Sequence, residues 1–127
     1  MSTQVHQPGF LPSAHLVQAQ FPPGAVCWPA LEGEEVTAAR EALDDWVLWL
    51  ADRYELDHRT VPPCWDAHGA LLEELSALRT AWITAYSKVS KGDEPLHWHA
   101  HFAAARQRLT DWVARTGCRP GEHRCSP

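Results

Sequence analysis

Cys64 and His68 lie four residues apart, and Cys118, His123 and Cys125 follow closely on one another near the end of the chain. Residues i and i+4 share a face of a helix, so Cys64 and His68 would present a thiol and an imidazole side by side. Thiolate sulfur and imidazole nitrogen are the ligands of tetrahedral zinc. The whole pattern reads Cys-x3-His, a gap of most of two helices, then Cys-x4-His-x-Cys. The preferred ligand set is Cys64, His68, Cys118 and His123, with Cys125 able to replace one of them. The spacing matches no standard zinc finger. The plain alternative makes Cys64 a small buried hydrophobe, His68 a hydrogen-bonded core histidine and the C-terminus a frayed tail. A metal here would be structural: it would pin the tail and close one end of a small domain that has little core to spare.

The other chemistry-bearing residues form weaker patterns. His97, His99 and His101 alternate in His-Trp-His-Ala-His, and His97 and His101 would share a helix face, yet no third ligand is placed near them. Cys27 stands alone, with no base to activate it. There is no nucleophile elbow, no glycine-rich phosphate loop and no His-Glu-x-x-His motif. A zinc hydrolase would need an open metal position and a nearby base, for which Asp66 and Glu122 are the candidates.

Three helices must position these groups. Val36, Leu43, Val47, Leu50 and Tyr54 recur at helical steps and predict a helix over 34–54, with Trp46 and Trp49 widening its apolar face. That helix is apolar nearly all round at 46–50, so a second surface must cover it, and the N-terminal segment is a candidate. A second helix is expected from about Pro62–Cys64 to Lys88, with His68, Leu71, Leu75, Leu78, Trp82, Tyr86 and Val89 as its stripe. A third runs over 94–116, with Asp93 as cap, Pro95 in its first turn, Trp98, Phe102, Ala105, Leu109, Trp112 and Val113 on its apolar face, and Gly117 as its stop. The expected fold is all-α: a three-helix antiparallel bundle over 34–125, in up-down-up order, behind an extended, proline-rich, partly disordered segment 1–33 and ending in a C-terminal tail. Antiparallel packing of the second and third helices brings Cys118 to the end of the bundle that holds Cys64.

Composition narrows the function classes. A net charge of −5 argues against a general phosphate-backbone binder. The charge is uneven, however, and Arg106, Arg108, Arg115, Arg119 and Arg124 gather near the C-terminus, so a small nucleic-acid-associated protein is the alternative reading. No stretch is long enough to span a bilayer, and the first residues lack the pattern of a signal peptide. A cytoplasmic setting is therefore expected, where four cysteines serve as thiols or metal ligands rather than disulfides. The tryptophans at core spacing are read as packing. The preponderance of Arg over Lys, with abundant Ala, Pro and Trp, suits a GC-rich bacterial genome.

Three stretches together carry a resemblance: Trp46-Val47-Leu48-Trp49-Leu50, Pro62-Pro63-Cys64-Trp65-Asp66-Ala67-His68, and Leu72-Glu73-Glu74-Leu75-Ser76-Ala77-Leu78. With the Trp98-His99 pair and the Cys118-to-Arg124 ending, they make residues 35–125 resemble a group of small actinobacterial proteins of uncharacterised function. Members of that group are common near plasmid, phage and conjugative-element genes. The resemblance implies a mobile-element setting and brings no enzyme activity with it. The expected role is a non-catalytic accessory or interaction protein, meeting a partner protein through its N-terminal segment or an exposed tryptophan face.

Overall fold

A computed structural model describes residues 18–118 of the chain. It is an all-α, three-helix bundle, with α1 at Glu34–Arg53, α2 at Gly69–Ala85 and α3 at Glu94–Thr116. Short 3₁₀ turns at Trp28–Ala30 and Trp65–Ala67 precede α1 and α2. Glu34 and Glu35 lie at the positive end of the α1 dipole. Pro95 occupies the first turn of α3, and Gly117, left-handed at φ 75°, ends it.

The core is one cluster. Leu43, Trp46, Val47 and Leu50 come from α1, Leu71, Leu72, Leu75 and Leu78 from α2, and Trp98, Phe102, Ala105, Leu109 and Val113 from α3. Three residues assigned to apolar stripes do not join it: Val36 is half-buried on α1, Val89 is exposed beyond the end of α2, and Trp112 is 39% exposed on α3.

The order of the helices differs from up-down-up. Along α1, Arg40 meets Asp66, and Trp46 and Trp49 meet Trp82. Numbers rise together on both sides, so α1 and α2 run in the same sense. Along α3 they fall: the Trp98 indole donates to the Leu78 carbonyl, and Arg108 pairs with Glu74. Thus α3 is antiparallel to α2, and it meets the end of α1 through Tyr54, whose ring lies against Trp98 and Phe102.

The cause is the connection after α1, which is a crossover and not a short turn. Glu55 takes a positive φ of 54° and redirects the chain. The segment then passes Thr110, whose hydroxyl is 3.4 Å from that of Thr60, and reaches Cys118 at Cys64. Ten residues can extend to roughly 33 Å, which covers the roughly 24 Å of helix between Phe102 and Cys118. Leu56 and Val61 pack on the core as they pass.

The N-terminal segment lies on the bundle in its described part. The Ala19 carbonyl accepts from the Lys88 N–H at 2.8 Å, and Trp28 packs against the core beneath the Arg40 guanidinium. On α1 the segment's Trp28 meets Arg40, while Leu48 in the apolar run 46–50 stays 65% exposed. No helix among the described residues is long and apolar enough to cross a membrane.

Candidate metal centre

The second helix begins later than its apolar stripe suggests, and that shift builds the site. In place of a helix from Pro62–Cys64, the chain makes a 3₁₀ turn, with the Ala67 N–H on the Cys64 carbonyl and the His68 N–H on the Trp65 carbonyl. His68 is then extended, at φ −115° and ψ 116°, and α2 starts at Gly69. Two prolines and a glycine bracket this stretch, all poor residues for a helix interior. Buried Trp65 anchors the turn in the core, and His68 is buried beside it. The thiol and imidazole therefore meet across one tight turn, with Cys64 Sγ 3.6 Å from His68 Nε2.

Cys118 arrives from the other direction. Gly117 reverses the chain after α3, the Thr116 hydroxyl donates to the Val113 carbonyl at 2.7 Å, and the Cys118 N–H donates to the same hydroxyl at 3.0 Å. These bonds fix the residue as it leaves the helix. Its sulfur lies 3.5 Å from Cys64 Sγ and 3.5 Å from His68 Nε2. Among the described residues, Cys64, His68 and Cys118 form the one group of three metal-ligating side chains whose ligand atoms converge, all lying within 4.8 Å of one another.

The triangle has the size a metal needs. Zinc–sulfur bonds of about 2.3 Å and zinc–nitrogen bonds of about 2.0 Å at tetrahedral angles put two sulfurs roughly 3.8 Å apart, and sulfur and nitrogen roughly 3.5 Å apart. All three edges fall within about 0.3 Å of those values. The three residues are thus close enough to hold one metal ion on a shared face. The sulfurs are well beyond the bonded distance of a disulfide, which is about 2.05 Å. Burial, then the neighbouring Cys118 thiol, push the Cys64 thiol up to about 11. A divalent cation reverses that preference, because it stabilises the two facing thiolates that otherwise repel.

The other expected ligands divide in two. His123 and Cys125 lie outside the described residues, as do Arg119, Glu122 and Arg124. The second histidine cluster does not converge. His97 bonds Asp93 at 3.3 Å, His99 bonds the Tyr54 hydroxyl at 3.0 Å, and His101 joins His97 and Glu94 along an open hollow of about 260 Å³. Asp66, a candidate base for a hydrolase, faces Arg40 at 3.9 Å. Of the arginines, Arg108 is held bidentate by Glu74 at 2.9 Å, Arg106 lies over Phe102, and Arg115 lies 4.7 Å above Trp112. Cys27 is exposed in the N-terminal segment.

One feature escapes a reading of the sequence. A cavity of about 330 Å³ opens beside the triad, lined by Ala67, His68, the first turn of α2, Trp112, Arg115 and Thr116. The available signal was the Trp112–Arg115 spacing of three, which stacks a guanidinium on an exposed indole. The chain matches no protein family, no curated protein and no solved structure, so what it does must be argued from the geometry of this end of the bundle.

Proposed function

We propose that the chain is a small non-catalytic accessory protein whose open bundle end is fastened by a structural zinc ion. Cys64, His68 and Cys118 supply three ligands, and His123 or Cys125 the fourth. The observation that carries this reading is the Cys64–His68–Cys118 triangle, with edges of 3.5–3.6 Å that suit tetrahedral zinc. A closed four-ligand site leaves no position for an activated water, which sets this reading apart from a zinc hydrolase. Thiolate ligation suits a reducing cytoplasm. The mobile-element setting follows from the resemblance of residues 35–125, and a protein partner from a large apolar content without catalytic motifs.

The same distances suit hydrogen bonds between thiols and imidazole, and metal content separates the two cases. Protein purified without a His tag should carry about one zinc per chain by elemental mass spectrometry, with the ion lost in Cys64→Ser and in His68→Ala. His123→Ala and Cys125→Ser, compared one at a time, identify the fourth ligand. Wild-type protein without metal, even after refolding with zinc, would reduce the three residues to a hydrogen-bonded core cluster.

A further inference from the structure

We propose that Cys64 and Cys118 are also a redox pair, which a peroxide-class oxidant joins as a disulfide while expelling the zinc. The proposal rests on the zinc reading for its metal half and on the sulfur geometry for its covalent half.

The two sulfurs are 3.5 Å apart although 54 residues separate them in sequence. Bond formation needs an approach of roughly 1.5 Å. Both cysteines are placed to make it. Cys64 precedes a 3₁₀ turn and Cys118 follows the left-handed glycine that ends α3, so neither is locked inside a helix. Both are partly exposed, within reach of a small solute. Cys27, by contrast, is exposed in the N-terminal segment and is not part of the converging group.

The chemistry closes without another reactant. One thiolate attacks the O–O bond of the peroxide, giving a sulfenic acid and a hydroxide. The second thiolate attacks that sulfur, forms the S–S bond and expels a second hydroxide. The sulfur pair loses two electrons and the peroxide gains them, while two solvent protons turn both hydroxides to water. The metal loses two thiolate ligands at once and leaves as the free cation.

The outcome differs from that of a domain folded only by its metal. The disulfide ties the same two chain points that the ion tied, the start of the turn before α2 and the end of α3. Oxidation therefore exchanges one staple for another, and the bundle stays folded while His68 is released from the metal.

The test uses full-length, zinc-loaded protein carrying Cys27→Ser, titrated with hydrogen peroxide. Zinc release is followed with a chromogenic chelator, pairing by non-reducing peptide mapping, and helicity by circular dichroism. The expected result is one zinc released per disulfide formed, with tryptic peptide 60–79 joined to peptide 116–124. Helicity should be unchanged, and reductant plus zinc should restore the starting state. Pairing through Cys125, sulfinic acid without a crosslink, or zinc retained after oxidation would each overturn the proposal. If the protein binds no zinc, the metal reading fails separately, and the same peptide map still decides whether Cys64 and Cys118 pair.

Discussion

The two ends of this bundle are closed by different means. Where α1 and α2 end and α3 begins, Trp46, Trp49, Tyr54, Trp82, Tyr86, Trp98 and Phe102 pack in a continuous aromatic run, with neighbouring ring centres 4.9–6.3 Å apart. At the other end, two thiols and an imidazole face one another beside a cavity of about 330 Å³. Aromatic rings bring their own buried area and hold that end chiefly by packing, with hydrogen bonds from Trp98 to Leu78 and between Tyr54 and His99. The thiol end has fewer rings in mutual contact, with Trp65 in the core and Trp28 and Trp112 at its edge, and the proposed ion would draw its thiols and imidazole together. One end should therefore be insensitive to chelators and intolerant of truncation, and the other the reverse.

The sharpest way to break this comparison is Trp46→Ala. The side chain is fully buried and touches two other indoles. Its loss should cost about 3–5 kcal/mol in urea unfolding, with or without zinc. A cost below about 1 kcal/mol would mean that the aromatic end is not self-supporting. Next in size is removal of zinc by a chelator. It should lower stability by about 3 kcal/mol when free zinc had stood a hundredfold above its dissociation constant. His68→Ala should abolish that response, and mild acid should mimic the chelator, because protons compete with the metal for both thiolates and the imidazole.

Trp98→Phe comes third. It keeps most of the apolar ring and removes the indole donor to the Leu78 carbonyl, at a cost of about 1–2 kcal/mol. Smallest is Tyr54→Phe, which loses the hydroxyl bond to His99 and should cost about 0.5 kcal/mol at neutral pH. Its interest lies in alkali. Burial, and then Tyr86, hold the Tyr54 hydroxyl above its usual 10.0, against a lowering by Arg53. A raised pKa in the folded protein contributes stability that is complete below pH 10.0 and is lost as pH rises above it. Thermal melts of Tyr54→Phe should therefore decline less steeply with alkali than those of the wild type.

Much of the fold could be read from residue spacing because two helices carry clean boundary signals. The acidic start of α1 and the Asp93-Pro95 and Gly117 ends of α3 set bounds that agree with the structure to within a residue. The start of α2 could not be read so well. Apolar spacing continues through Trp65 and His68, and periodicity alone does not tell a tight turn from the helix it leads into. The crossover is not legible in the sequence, because loop length says nothing of path, and Leu56, Thr60 and Val61 carry too weak a pattern to show that they pass along α3. The triad was legible for a different reason. Thiol and imidazole are rare enough in a helical core that their spacing stands out, and the antiparallel pairing of α2 and α3 brings Cys118 to the same end.

The parallel course of α1 and α2 bears on the order in which the chain folds. Residues 86–93 join α2 and α3 directly, so their antiparallel contacts are local and form at small entropic cost. Contacts of α1 with α2 close the longer path through residues 54–64, at greater entropic cost. The expected order is therefore an α2–α3 hairpin as nucleus with α1 docking late. In chevron measurements, weakening the Trp98–Leu78 contact should slow folding, while weakening the Trp49–Trp82 contact should chiefly speed unfolding.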